Sequence, residues 1–298
     1  MTDDSSRWFG PTLVLGSAVL FSLSGVLTKA IDAESWTILT WRGLIGGIGI
    51  GAYVWWRSGR DVRSVFHLDR YGWGIAAVGA LGSITFIGAF KNTLVANVSV
   101  IYATIPFAAA GLERLILGEP FRRRTLRAAT ITLMGVVVIV GGSLGTPNVG
   151  GDALAVAMVV LNALYMVLIR AFPDTDSVLA AAAGGPLLFI TGWFVVEPLD
   201  VAFRDMSLMV LFGLVFGAAT VLWVEGTRLI PASESGLLGS VETPLAIGLA
   251  WVVLSEAPPW TSLAGAVVVL AAVIGHTRAD LIADSQPGLP GGDDGGHA

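Results

Sequence analysis

Apolar residues run in long blocks along this chain, broken by short polar segments, and the length of those blocks is the first structural signal. A bilayer core about 30 Å thick needs roughly 20 apolar residues per helix, and ten stretches of about that length can be cut from the sequence. They fall at residues 11–30, 36–56, 72–91, 97–117, 125–143, 151–170, 178–196, 207–227, 234–254 and 260–276, which nearly uses up the 298 residues. Linkers are short throughout. The opening segment, Met1 to Ser6, is acidic and polar, and the apolar run after it is span-length with no small-residue cleavage site. The first helix is therefore expected to be kept rather than removed as a signal.

Composition sharpens that reading by excluding a soluble globule. Charged residues are 13% of the chain, hydrophobic residues 54%, and mean hydropathy is +0.77, against roughly 25% charged in an ordinary soluble domain. So few charged side chains cannot cover the surface of a soluble protein of this size. The net charge is -5, and the bases sit in short clusters without interleaved aromatics, which argues against a nucleic-acid partner. Cysteine is absent, so disulfides, thiolate metal sites and cysteine nucleophiles are excluded.

The placement of the bases orients the spans. With the N-terminus inside, the cytoplasmic segments hold Arg7, Arg57, Arg60, Arg63, Arg70, Arg114, Arg122, Arg123, Arg124, Arg127, Arg170, Arg228 and Arg278, which is 13 of the 17 bases. Lys29, Lys91 and Arg204 fall on the other side, and Arg42 lies within a span. Since Lys and Arg concentrate in cytoplasmic loops, both termini are expected in the cytoplasm. The polar, Gly-, Pro- and Asp-rich tail over residues 277–298 is expected to be disordered.

A repeat is visible within the chain. GAFKNTLVANVSVIYATIPF, around Gly88, lies against GTRLIPASESGLLGSVETPL, around Gly226, so that Gly88 meets Gly226 and Pro106 meets Pro244 at an offset of 138. Each copy then reaches an acid: LGEPF at residues 117–121 matches LSEAP at 254–258, one residue out of step. The unit holds five helices, an odd number, so the second copy enters the membrane from the opposite side. Inverted repeats of this kind build transporters that rock about a site near the membrane midplane. The expected organisation is a cytoplasmic N-terminus (residues 1–10), a first five-helix repeat (11–143), a second, inverted one (144–276) and the tail (277–298).

The ordered motifs are similar to those of a known family. LFSLSGVLTKA with Lys29, TWRGLIGG with Arg42, GAFKNT, then Pro106 leading to LGEPF with Glu119, and GVVVIVGG in the fifth span together resemble the EamA family of the drug/metabolite transporter superfamily. The resemblance covers about residues 10–276 and implies an all-α integral membrane protein of ten helices in two inverted five-helix repeats. It further implies that helices one to four and six to nine surround a central cavity, with helices five and ten as supports, and that small metabolites, commonly amino acids, are exported. The second half departs from the pattern, with Thr227 and Arg228 standing where Ala89 and Phe90 do in the first.

Ionisable groups inside a membrane cost about 2.5–3.5 kcal/mol at a helix centre on insertion scales, so each asks for a partner or a wet cavity. Glu242, two residues before Pro244, is the deepest of them. It either faces the pathway, meeting a substrate ammonium or carrying a proton, or sits neutral between helices. Arg42 can fork a carboxylate or tie helices together. Glu225 is either a gate or an acid paired within its turn to Arg228, and Lys29 and Lys91 are either interface anchors or, for Lys91, part of a gate. Glu119, followed by Pro120 and three arginines, reads as a structural hinge. Polar and aromatic groups at mid-depth complete the cavity candidates: Tyr102, Asn162, Tyr165, Trp223, Ser24 and Ser240 first, with Ser22, Ser83, Thr85, Thr104 and Thr243 behind them. Against these stands the tendency of Ser and Thr to bond back to their own helix. Small-xxx-small pairs at Gly47 and Gly51 and at Gly213 and Gly217 predict close helix contact. Gly184, Gly185 and Pro186 are expected to interrupt helix seven, as a flexing point or a static kink.

A membrane-embedded enzyme lacks its parts, since no HExxH or P-loop is present and the only histidines are His67, His276 and His297. A channel or lipid scramblase also needs a polar path and stays a lesser alternative, although no ring of like charges or filter-like loop is visible. The reading is a transporter without cofactor, metal or nucleotide site, driven by a gradient or facilitated, in the cytoplasmic (inner) membrane. A single chain suffices for it. The exported solute is expected to be an amino acid or a related metabolite, with a drug or quaternary-cation exporter as the alternative, in which Glu242 and the aromatics form a cation site.

Overall fold

The computed structural model describes residues 4–58, 68–118, 130–131, 134, 137–138, 148–227, 229, 238–239, 241–268 and 271. They form nine helices with labelled bounds: α1 (Asp4–Ala30), α2 (Ser35–Arg57), α3 (Arg70–Asn92), α4 (Val95–Tyr102), α5 (Ile105–Leu117), α6 (Val149–Ala171), α7 (Ser177–Val195), α8 (Phe203–Thr227) and α9 (Glu242–Leu254). Residues 260–268 are also helical, and no strand occurs among the described residues. The fifth predicted span lies largely outside the described residues. Among the described residues, five segments are each long and apolar enough to cross a bilayer: Phe9–Ala30, Arg70–Asn92, Val149–Ala171, Ser177–Val195 and Phe203–Gly226. Large apolar side chains on the outside, such as Phe194, Phe203 and Trp260, are those that lipid rather than water would cover.

Short polar residues set the helix ends. Asp69 caps α3 by accepting from the Gly72 amide at 2.8 Å, and Asp176 caps α7 by accepting from Val178 and Leu179 at 3.0 and 3.1 Å. At the other end of the spans, α5 stops at Gly118 (φ 74°) and α9 at Ser255 (φ 55°), both left-handed and each one residue before the acid of its repeat. That conformation suits glycine, so Ser255 is strained where Gly118 is not.

Two expectations change in the structure. The fourth span is not one helix but two, α4 and α5, bent by 42° at Ala103 and Thr104. Pro106 has no N–H to offer the Tyr102 carbonyl, so the regular ladder stops there, and the Thr104 amide turns to the Ile101 carbonyl at 3.1 Å. Helix seven, in contrast, runs unbroken from Ser177 to Val195 with Pro186 inside it. Its glycines serve contact instead: a Cβ on Gly185 would run into the Gly43 carbonyl, and one on Gly192 into Thr40, so α2 and α7 touch backbone to backbone. Of the expected small-residue pairs, Gly47, Gly213 and Gly217 pack against a neighbouring helix, while Gly51 faces open space.

The helix contacts carry the repeat. α1 packs on α8 as α3 packs on α6, and α2 on α8 as α3 on α7. Likewise α1 lies on α9 as α6 lies on α4 and α5, while α2 with α7 and α4 with α9 are pairs that exchange into themselves. Swapping α1, α2, α3 and α4–α5 for α6, α7, α8 and α9 therefore leaves the main contacts unchanged. Each half packs chiefly on the other, so neither forms a separate body.

The bundle has two ends. The near end carries the start of α1, and there Arg57 pairs with Glu225 at 2.6 Å, Arg170 with Glu113, and Tyr71 stacks on Phe172. The far end gathers the 31–34, 93–94 and 196–202 linkers, the start of α6 and the segment after α9.

Candidate functional site

The first repeat is broken just before Pro106, and α4 there packs against α9, which starts two residues before Pro244. At the sequence offset of 138, Pro106 corresponds to Pro244 and Thr104 to Glu242, and Glu242 occupies the first turn of α9. Across the contact, the Thr243 hydroxyl donates to the Ser99 carbonyl of α4 at 3.3 Å. Beside that contact lies a small cavity with Glu242, Thr243, Ser99 and Tyr102 as its polar lining and Phe21, Phe86, Phe90, Val98, Met158 and Ala246 as its apolar walls. Gly25 of α1 completes it, because a Cβ there would stand 2.7 Å from the Phe90 ring. The free space is about 10 Å³ at the centre of a water-sized sphere, room for about one water. The cavity is thus closed around its polar groups in this conformation, and Glu242 has neither ion pair nor hydrogen-bond partner among the described residues.

Of the residues singled out from the sequence, Glu242, Tyr102 and Thr243 meet in this cavity. Arg42 lies beside it, 2% exposed, with its guanidinium carbon 4.3 Å from the Phe216 ring centre, 5.2 Å from Phe212 and 5.8 Å from Phe86, the last shared with the cavity wall. Asn162 bonds back to the Met158 carbonyl at 2.9 Å and faces Gly82 of α3, and Tyr165 covers Gly79 of the same helix. Ser24 is buried in α1, and its carbonyl accepts from Thr28 at 2.7 Å. Trp223 packs over Gly239 toward the near end. Ser22, Thr85 and Thr104 bond back to their own helices. Glu225 pairs with Arg57 of α2, and Ser240, Glu119 and Arg228 lie outside the described residues.

The far end joins Lys29 and Lys91, both singled out from the sequence, with polar groups that the sequence did not advertise. Lys29 Nζ pairs with Glu256 at 2.8 Å, and the other oxygen of Glu256 accepts from the Val95 amide at 2.6 Å. Asp152, fully buried, accepts from Thr93 at 2.6 Å and from Asn97 at 3.1 Å, and Ser262 donates to Asn97. Lys91 donates to the Ile31 carbonyl at 2.6 Å, and Asp205 accepts from the Asp32 amide at 3.1 Å. Glu256 was legible only as the partner of Glu119 in the repeat. Asp152 and Asn97 gave no signal, since polar residues in the first turns of a span look like any interfacial group. The result is a far end tied shut by side chains from both halves, above a cavity that both halves line.

Apolar helices in two exchangeable halves around a buried cavity define a multi-pass membrane protein of the inverted-repeat class. The model of the EamA-like transporter family matches the chain twice, over residues 8–141 and 149–278, and the chain belongs to that family. Its fold is accordingly the all-α membrane fold of two inverted five-helix repeats. The uncharacterized transporter YetK of Bacillus subtilis (strain 168) is 26% identical over 221 residues, which is 70% of this chain and 66% of that protein. The chain thus spans just under two thirds of that relative's length. A protein of known crystal structure shares the fold with a TM-score of 0.65 at 20% identity, over 95% of this chain and 99% of that one.

Proposed function

We propose that this transporter exports small metabolites, amino acids first among them, by alternating access across the cytoplasmic (inner) membrane. The observation that carries the reading is the position of Glu242: a carboxylate without a partner among the described residues, in a closed cavity where α4 meets α9. Such a group is suited to a substrate ammonium or a proton. The aromatic and apolar lining around it suits a small amphipathic solute. The ties across the far end support a state closed on that side, from which the halves would part to release the solute. In this reading residues 11–143 and 144–276 are the rocking units, residues 1–10 and 277–298 lie in the cytoplasm, and the near end, with Arg57, Arg70 and Arg170, faces inward. One chain holds both halves of the site, so a monomer suffices.

The test is efflux from proteoliposomes loaded with a radiolabelled amino-acid mixture, with and without a pH gradient. Saturable efflux above that of protein-free vesicles supports the reading, and a rate that follows the pH gradient makes Glu242 the leading proton carrier. A second reading has its own support: Phe21, Phe86, Phe90 and Tyr102 around one carboxylate also suit a quaternary cation. Movement of quaternary ammonium dyes with no efflux of any amino acid would overturn the first reading in favour of the second.

A further inference from the structure

Arg42 presents a problem that the cavity alone does not solve. Its side chain is 2% exposed, it belongs to no ion pair among the described residues, and its Nε and Nη2 atoms have no hydrogen-bond partner. A buried guanidinium without an anion is among the costlier arrangements in a folded protein. The faces of Phe86, Phe212 and Phe216 stabilise the cation from around it, but aromatic faces accept no hydrogen bonds in the plane of the guanidinium. Two N–H groups are thus held ready, in the fork geometry that fits a carboxylate. The backbone around the group is fixed as well: Gly213 lies against Ile45 and the Arg42 carbonyl, and Gly46 lies against Phe216. A structural arginine would be expected to spend those donors on helix carbonyls or an acid, and this one does not.

We infer that Arg42 is the carboxylate subsite of the transport cavity, reached when the Phe86 side chain, which lines the Glu242 cavity and also lies against the Arg42 guanidinium, swings aside. The inference rests on the transport reading and narrows it: the solute carries a carboxylate, and one that also carries an ammonium group is oriented between Arg42 and Glu242. A simple cation would leave the Arg42 donors unmet and is the poorer substrate.

Three probes that differ only in their charged ends test this: phenylalanine, 3-phenylpropionate and 2-phenylethylamine. Each is measured by thermal stabilisation of the purified full chain and by efflux from proteoliposomes. The wild-type protein is expected to bind phenylalanine and 3-phenylpropionate. In Arg42→Gln the affinity for 3-phenylpropionate relative to 2-phenylethylamine is expected to fall by about 10- to 100-fold, as loss of a charged hydrogen-bonded pair implies. Arg42→Lys keeps the charge without the fork, and is expected to lie between, which keeps the test open if the glutamine variant does not fold. Equal loss for all three probes, or unchanged binding of 3-phenylpropionate in either variant, would overturn the inference. Transport of 2-phenylethylamine alone by the wild type sinks the carboxylate subsite and leaves a transporter standing, whereas movement of none of the three, together with no efflux from the amino-acid mixture, sinks both readings.

Discussion

At the far end, Asp152 is fully buried yet accepts from Thr93 and Asn97, and Glu256 holds both Lys29 and the Val95 amide. A few turns deeper, Arg42 and Glu242 stand close to one another's walls, and the polar atoms they carry are not so matched among the described residues. The same chain thus meets polar side chains with partners where two helix ends come together and leaves them unmatched at mid-depth. Satisfaction stabilises one arrangement. Unmet polarity in a dry place is costly, and that cost is relieved only by something that enters. The contrast separates polar groups matched by their neighbours from polar groups that are not, a distinction that burial or charge alone does not make.

The contrast can be broken from either side. The largest expected effect is at mid-depth: Glu242→Gln abolishes saturable efflux from proteoliposomes while the variant elutes as the wild type does in size exclusion. If Glu242 merely held helices together, the variant would aggregate or lose thermal stability instead. Next is the far end, where Gly151 lies against the backbone of Asn92 and Thr93 with no room for a Cβ. Gly151→Ala is expected to destabilise by about 1–3 kcal/mol, the usual cost of overpacking, seen as a lowered melting temperature in detergent. A smaller effect is expected from Glu256→Gln, which loosens Lys29 without crowding anything. Because the chain has no cysteine, a single Ser99→Cys reports on the cavity cleanly, and an impermeant maleimide is expected to label it severalfold faster from the far side in the Glu256→Gln background. Equal labelling with and without that change would show that the tie does not hold the far end shut. Smallest of all is Arg57→Ala, since the Arg57 and Glu225 side chains are 37% and 26% exposed and such pairs contribute about 0–1 kcal/mol. It should leave melting and efflux almost unmoved.

What the sequence showed and what it hid follow from which forces are local. Span lengths, the five-helix unit and the landmarks Pro106 and Pro244 are patterns along the chain, so the all-α inverted-repeat fold was legible before any coordinates. Glu242 and Tyr102 were legible for the same reason, because an acid or a phenol deep in an apolar run stands out. The break between α4 and α5 needed the proline to be weighed against the run of apolar residues around it, and the unbroken α7 shows the opposite outcome for Pro186. There, close contact with α2 through Gly185 and Gly192 keeps the helix continuous past a proline. Asn162 and Tyr165 look in sequence like cavity residues, yet they pack on Gly82 and Gly79, because which face of a span turns inward is decided by neighbours far away in the chain. Asp152, Asn97 and Ser262 come from three separate segments, and nothing along the chain joins them.

The exchange of α1–α5 for α6–α9 that leaves the main contacts unchanged also bears on how such a protein can be tuned. When two arrangements of a bundle are built from the same set of packings with the halves trading places, most of their free energy is common to both and cancels. What remains to decide the resting state is the handful of ties without a counterpart, such as Asp152 with Asn97, for which the first repeat offers Val14 at the offset of 138. A substitution in one half and its equivalent in the other should then pull the resting state in opposite directions. Duplication would have supplied a balance, and single-residue differences between the copies would set which way it leans.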